Sequence, residues 1–299
     1  MEAAGTIPVV REKLMDFTIR EAVVGDWQEA GLICYDAFAT VSGEHGFPPD
    51  FPSVEAAALP IKWMIEHPRF YGAVAVRNGK VIGSIFMDER SAISAIGPIT
   101  VRPGEQNAGV GRALMLAAMD HAAARGAMSI RLLQLSFHNR SLSLYAKLGF
   151  DIRGAYGAMY GPAINRKMPG YDVRPAIPAD ETACNALSVR VHGHERPGEV
   201  HEAIESGAAR VVKRLGRITG YTTGINYFAH SAAETSDDLK ALICEAKDFG
   251  TPGFLVPLRD SNLFQWCLAE GLKVWFVLNM MTTGIYQEPE GAHMPSIGY

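Results

Sequence analysis

The feature that most constrains this chain is that it repeats itself. Ile19-Arg20-Glu21-Ala22, with Asp26 following, lines up without gaps on Val173-Arg174-Pro175-Ala176, with Asp180 following. Both read as a short strand entering the polar start of a helix. Later, Ser129-Ile130-Arg131-Leu132-Leu133 leads through a helical stretch to Lys147-Leu148-Gly149-Phe150, and Gly253-Phe254-Leu255-Val256 leads through another to Ala269-Glu270-Gly271-Leu272. Self-similarity of this kind means one supersecondary plan used twice. The expectation is two copies of one α+β domain, about 1–165 and 170–299, joined by a segment, 162–170, that holds two prolines and two basic residues.

A chain of 299 residues, 48% hydrophobic and 20% charged, can bury a core in each copy without disulfides or metals. The 28 basic and 32 acidic side chains give a net charge of −4, which argues against a nucleic-acid partner and against a basic membrane anchor. No apolar run approaches the ~18–20 residues of a membrane span. Met1 to Arg20 has no long apolar stretch and does not read as a secretory signal. The cysteines Cys34, Cys184, Cys244 and Cys267 are far apart, as expected of a reduced, cytoplasmic protein.

In the first half, Tyr71–Arg77 and Val81–Met87 flank Asn78-Gly79, a hairpin signal. Ile93–Val101 is a further strand. Val110, Leu114, Ala118 and Ala122 recur at helical spacing up to Gly126, a helix stop. Arg131–Phe137 reads as a strand, Ser141–Leu148 as a helix and Phe150–Arg153 as the start of a strand.

Chemistry concentrates where the strand at Ile96–Val101 meets the helix at Val110. The junction reads Val101-Arg102-Pro103-Gly104-Glu105-Gln106-Asn107-Ala108-Gly109-Val110-Gly111-Arg112. A glycine-rich turn entering a helix leaves backbone N–H groups unpaired at the positive end of the helix dipole, which suits a phosphate or pyrophosphate. Gly109 and Gly111 permit close approach, and Arg112 adds a cation. No Lys-Ser/Thr follows, so this is no P-loop, and it is not Gly-x-Gly-x-x-Gly.

Gln106-x-x-Gly109-x-Gly111, preceded by Val101-x-Pro103 and followed one strand and one helix later by Ser141-x-x-x-Tyr145-x-x-x-Gly149-Phe150, resembles the GNAT superfamily of acyl-CoA-dependent N-acetyltransferases over about 17–153. The resemblance implies two tandem GNAT-like α+β (α/β) domains, each a mixed, mostly antiparallel sheet flanked by helices. It implies that the backbone from Gln106 through Asn107, Ala108, Gly109, Val110 and Gly111 to Arg112 cradles the pyrophosphate of acetyl-CoA. It further implies that Ile99, Thr100 and Val101 offer a strand edge to the pantetheine arm, with His138 and Ser141 beside it. Tyr145 would protonate the leaving thiolate; a phenol is neutral at pH 7 with a pKa near that of the thiolate. The family's usual Asn, seven residues before the Tyr, is here His138, with Asn139 one place late. The resemblance implies a small-molecule or peptide amine as the acceptor, and no metal is expected.

The strand approaching Ile99 carries no Glu or His for a general base, and Asp88 and Glu89 read as a solvated strand end that could act through water. Glu44 to Pro52 lies where such domains place the loop roofing the acceptor pocket; its aromatics and acids suit an apolar amine. In the second half, Gly224–Phe228 aligns on Gly97–Val101, but Glu234, Asp237 and Asp238 stand where phosphates would bind, and Cys267 stands where Tyr145 does. That copy reads as lacking a cofactor site. His192, His194, Glu195, Glu199 and His201 resemble a metal cluster in composition, with His192 and His194 expected on one strand face, but read as solvated. A non-catalytic acyl-CoA sensor is the alternative function. A nucleotide-binding dehydrogenase would need an acid where the strand after the glycine-rich helix ends in Ser136-Phe137-His138.

Overall fold

The structure is a computed structural model that describes residues 16–299; most of the Met1 to Arg20 stretch, which does not read as a secretory signal, lies outside them. The first repeat runs β1 (Thr18–Glu21), α1 (Trp27–Glu44), α2 (Val54–Glu66), β2 (Phe70–Arg77), β3 (Lys80–Asp88), β4 (Ile93–Val101), α3 (Val110–Arg125), β5 (Ser129–Leu135), α4 (Asn139–Lys147) and β6 (Asp151–Tyr160). The second runs β7 (Asp172–Pro175), α5 (Glu181–His192), α6 (Pro197–Glu205), β8 (Arg210–Arg214), β9 (Arg217–Thr222), β10 (Ser231–Ala233), α7 (Ser236–Glu245), β11 (Phe254–Pro257), α8 (Ser261–Ala269) and β12 (Lys273–Gly284), with β13 (Ala292–Met294) added.

The repeat is visible atom by atom. Arg20 clamps Asp26 through both carboxylate oxygens at 2.7 and 2.8 Å, and Asp26 also accepts the Val23 N–H at 2.8 Å. Arg174 and Asp180 repeat the clamp at 2.6 and 2.8 Å, with the Ile177 N–H at 2.9 Å. At the other end of each copy, Phe150 N donates to Tyr145 O and Leu272 N to Cys267 O, both at 3.1 Å, around left-handed Gly149 and Gly271. The Asn78-Gly79 hairpin forms, with both residues at positive φ, and Gly126 ends α3 in the left-handed conformation.

Strand order departs from two side-by-side sheets. The larger sheet is β1-β2-β3-β4-β5-β12-β6-β11 and the smaller is β13-β10-β9-β8-β7. The last strand of each repeat has crossed into the other. β12 pairs antiparallel with β5, Leu278 opposite Leu135 through Gly284 opposite Ser129, and its other edge pairs with β6. β6 in turn pairs with β11. Separate apolar cores form along this sheet: one unites Val110, Leu114, Ile96, Leu132 and Tyr145 under α3 and α4, and another unites Leu239, Leu242, Phe254 and Leu263 under α7 and α8.

Gly224–Phe228, aligned by sequence on β4, is a loop, and the strand is the shorter β10. Polar side chains capture that backbone: Thr222 Oγ1 takes the Gly224 N–H at 3.1 Å, and Asn226 Oδ1 takes the Phe228 N–H at 2.9 Å. His192 ends a helix instead of lying on a strand, so it shares no strand face with His194.

The second clamp is testable. Burial is opposed chiefly by the hydrogen bond from Arg174, which holds the Asp180 carboxyl below its ordinary range. A depressed carboxyl contributes stability above the unfolded value, near 3.9, that is lost as pH falls through the folded one. Asp180→Asn should therefore cost about 1–3 kcal/mol at neutral pH in denaturant titrations, and the deficit against the wild type should shrink below about pH 4.

Candidate active site

Three local features converge between β4, α3 and α4. The first is a free strand edge. β4 and β5 run parallel and pair only from Ile93–Ala95 to Ser129–Arg131. Beyond that, Ile99, Thr100 and Val101 pair with β3 on one side, opposite Ile85, Ser84 and Gly83. β5 meanwhile follows β12, so the two strands diverge.

The second feature is the helix start. Gly109 is the N-cap of α3 at φ 88°, with no side-chain cap, and Ala113 N closes the first turn on Gly109 O at 3.0 Å. The N–H groups of Val110, Gly111 and Arg112 precede that bond and have no partner within the helix. Asn107, Ala108, Gly109 and Arg112 are exposed, Asn107 is left-handed at φ 66°, and Gln106 reaches back to Val101 O at 3.4 Å. A Cβ on Gly111 would meet Leu144 and Val101 at 3.6 and 3.7 Å, which places this residue over the gap between α4 and the β4 edge.

The third feature is Tyr145, buried on α4 against Phe150 with ring centroids 6.2 Å apart. Burial raises its phenol well above the ordinary value, and no hydrogen bond joins its hydroxyl to another described residue. It therefore stays protonated at any working pH. Ser141 is turned inward: its hydroxyl donates to His138 O at 2.9 Å and receives Gln134 Nε2 at 3.1 Å. Burial lowers the His138 imidazole, whose Nε2 is buried without a partner.

Asp88 and Glu89 are not a solvated strand end. Arg90 binds both Asp88 oxygens and reaches Glu202 of α6 at 2.5 Å, and His67 meets the other Glu202 oxygen at 3.0 Å. Arg90 also lies 5.2 and 5.7 Å over Phe70 and Trp63. Gly198 lets α6 come this close, since a Cβ there would sit 2.8 Å from Arg90 Cβ. Glu89 faces His121 at 3.1 Å. Arg90 thus holds Asp88, which is not free to take a proton from an acceptor, whereas Glu89 lies beside His121 and Arg125 with its Oε1 buried and without a hydrogen-bond partner.

On the opposite face of the sheet from Tyr145, the Glu44–Pro52 loop closes on an aromatic wall. Phe47 stacks on Phe137 at 4.6 Å and meets Phe276 edge-on at 6.4 Å. Phe276 and Tyr227 come from the second repeat, a contribution that no local motif announces. Asp50 lies in the same loop, receiving the Ser42 hydroxyl at 2.7 Å. Burial raises its carboxyl above the ordinary range, and its charge also raises the buried Tyr227 phenol.

The equivalent junction of the second repeat is a cavity of about 330 Å³ between the starts of α7 and α8, lined in part by Glu234, Thr235, Ser236, Arg259 and Asp260. Thr235 caps α7, and the fully buried Asp238 accepts the Thr235 N–H and hydroxyl and the Thr219 hydroxyl. One donor of this helix start is taken by the Thr235 hydroxyl, and the first turn carries the carboxylates of Asp237 and Asp238. Cys267 is buried and its thiol is pushed up to about 12 by burial, unlike a nucleophile. Among the described residues no cluster of His, Cys, Asp or Glu could hold a metal ion, and no helix is long and apolar enough to cross a membrane.

The Asp50 environment has a stability signature. A folded value raised above the unfolded one means that ionisation costs stability once pH exceeds the unfolded value. Asp50→Asn, which keeps the shape, should raise the melting temperature at neutral pH by about 1–3 °C. The gain should vanish below about pH 4. Differential scanning calorimetry between pH 3 and 8 measures it.

A sequence profile of the acetyltransferase (GNAT) family matches residues 39–150. Among curated proteins none matches the chain in sequence. In solved structures, a Pyrococcus horikoshii protein described provisionally as an acetyltransferase is 16% identical, with a TM-score of 0.70 over 96% of this chain and 98% of its own. A GCN5-related N-acetyltransferase from Sphaerobacter thermophilus is 15% identical, with a TM-score of 0.62 over 91% of this chain and 97% of its own. A tandem GNAT protein from the clavulanic acid biosynthesis pathway is 14% identical, with a TM-score of 0.52 over 90% and 98%. Residues 39–150 thus match the acetyltransferase (GNAT) family in sequence, and over most of its length the chain shares its fold with a tandem GNAT protein.

Proposed function

We propose that the chain is an N-acetyltransferase that moves an acetyl group from acetyl-CoA directly to a primary amine of a small molecule or peptide, using one cofactor site, in the first repeat. The observation that carries this reading is the meeting of an uncapped, glycine-opened helix start with a free β4 edge. The pyrophosphate would lie on the N–H groups of 110–112 with Arg112 beside it. Ile99, Thr100 and Val101 would hydrogen-bond the amide-bearing pantetheine arm as an added strand.

Tyr145 would then face the sulfur. Its proton, kept in place by burial, passes to the thiolate as the carbon–sulfur bond breaks. His138, neutral and with an unpartnered Nε2, can donate or accept beside the cofactor. With Asp88 held by Arg90, the amine's proton would leave through water or through Asp50. Tight CoA binding without thiol release over an amine panel would instead identify a sensor.

Two variants test the assignment. Tyr145→Phe should lower kcat by roughly 10²-fold or more while leaving KM for acetyl-CoA little changed; an unchanged kcat removes the acid role. A side chain at Gly111 meets only ordinary contacts, so Gly111→Asp should fold. It should weaken CoA binding by at least about tenfold, through like-charge repulsion at the pyrophosphate. Calorimetry should also give one CoA per chain, because carboxylates fill the second helix start; two per chain would overturn that part.

A further inference from the structure

Around the Tyr299 ring two buried guanidinium groups stand against one carboxylate. Arg131 lies on β5, on the same face as Leu133, and is 2% exposed. None of its nitrogens donates a hydrogen bond to another described residue, and Nε is buried without a partner. Arg196 is also 2% exposed but is held by Glu199, Nε to carboxylate at 2.9 Å. The two guanidinium groups flank the Tyr299 ring, 4.2 and 4.6 Å from its centre.

The histidines here bring no negative charge. His192 has a buried, unpartnered Nδ1, and His194 meets the Tyr299 hydroxyl at 3.2 Å. Burial, with the two arginines, keeps both neutral. An aromatic ring attracts a desolvated cation, but by less than it costs to leave a charge buried without a partner. Ring stacking therefore does not balance Arg131.

We propose that Arg131 is an anion site, and that its ligand is the carboxylate of the acceptor, an amino-acid-like amine. This rests on the acetyltransferase reading. The position supports it. Leu133 packs both against the core around Arg131 and against the wall of Phe47, Phe137 and Phe276. One face of β5 thus runs from an unpaired guanidinium to an apolar, aromatic surface, which suits a molecule with an acid at one end and an apolar body. Tyr286, half-buried on an irregular segment, lies 5.3 Å from the guanidinium, and a ligand would enter past it.

Calorimetry without acetyl-CoA tests the site, using N-acetylphenylalanine and its amide. The wild type should bind the acid at least about tenfold more tightly than the amide. Arg131→Met should abolish that preference, and Arg131→Lys should keep part of it. Without ligand, Arg131→Met should melt no lower than the wild type, because it removes an unpaired buried charge. Equal binding of acid and amide by the wild type overturns the proposal whatever the variants do, as does a variant that loses stability but keeps the preference. If the acetyltransferase reading fails, thiol release from acetyl-CoA is absent in the wild type across amines, while the acid-over-amide preference can still be measured.

Discussion

Almost everything at the candidate site depends on where β12 lies. A strand needs its N–H and C=O groups paired, and β5 pairs along its length with β12 of the other repeat. It is therefore held away from β4 after three residues. That leaves the β4 edge from Ile99 to Val101 open beside α3. Were β5 to follow β4 throughout, no gap would exist between them. The exchange also makes each repeat a structural part of the other, because β6 is completed by β11 and β12 by β5.

The two copies also show how one helix start diverges. In α3 the first turn begins at a left-handed glycine and carries no acid. In α7 the Thr235 hydroxyl accepts the Asp238 N–H, and the first turn carries the carboxylates of Asp237 and Asp238. Carboxylates near the positive end of a helix stabilise it, so α7 gains stability from side chains that would repel a phosphate. The first repeat leaves those donors free at the cost of a cap worth about 1 kcal/mol.

Charges at the seam between repeats are handled in two ways. Around Arg90, Asp88 and Glu202 come from different repeats and the ion pairs are complete, with aromatic rings alongside. Around Arg131 they are incomplete. A buried ion with good partners is tolerated, but one without them is costly. The contrast separates charges that hold the repeats together from one set aside for another purpose.

The local rules were legible from residue order alone. Asn78-Gly79 turns, Gly126 stops a helix and Gly109 starts one, because these conformations are open to few residues. The clamp of Arg20 on Asp26 recurs at Arg174 and Asp180 because it lies within six residues. Tertiary structure decided what lay far apart in sequence. β6 and β12 alternate alike whichever strand lies beside them, so their exchange has no local signature. Gly224–Phe228 resembled a strand until Thr222 and Asn226 captured its backbone. Asp88 looked like a solvated strand end, and only the approach of α6, permitted by Gly198, buried it. Arg131 looked like one polar residue in a strand, and only the second repeat, folding over it, removed its water and left its charge unpaired.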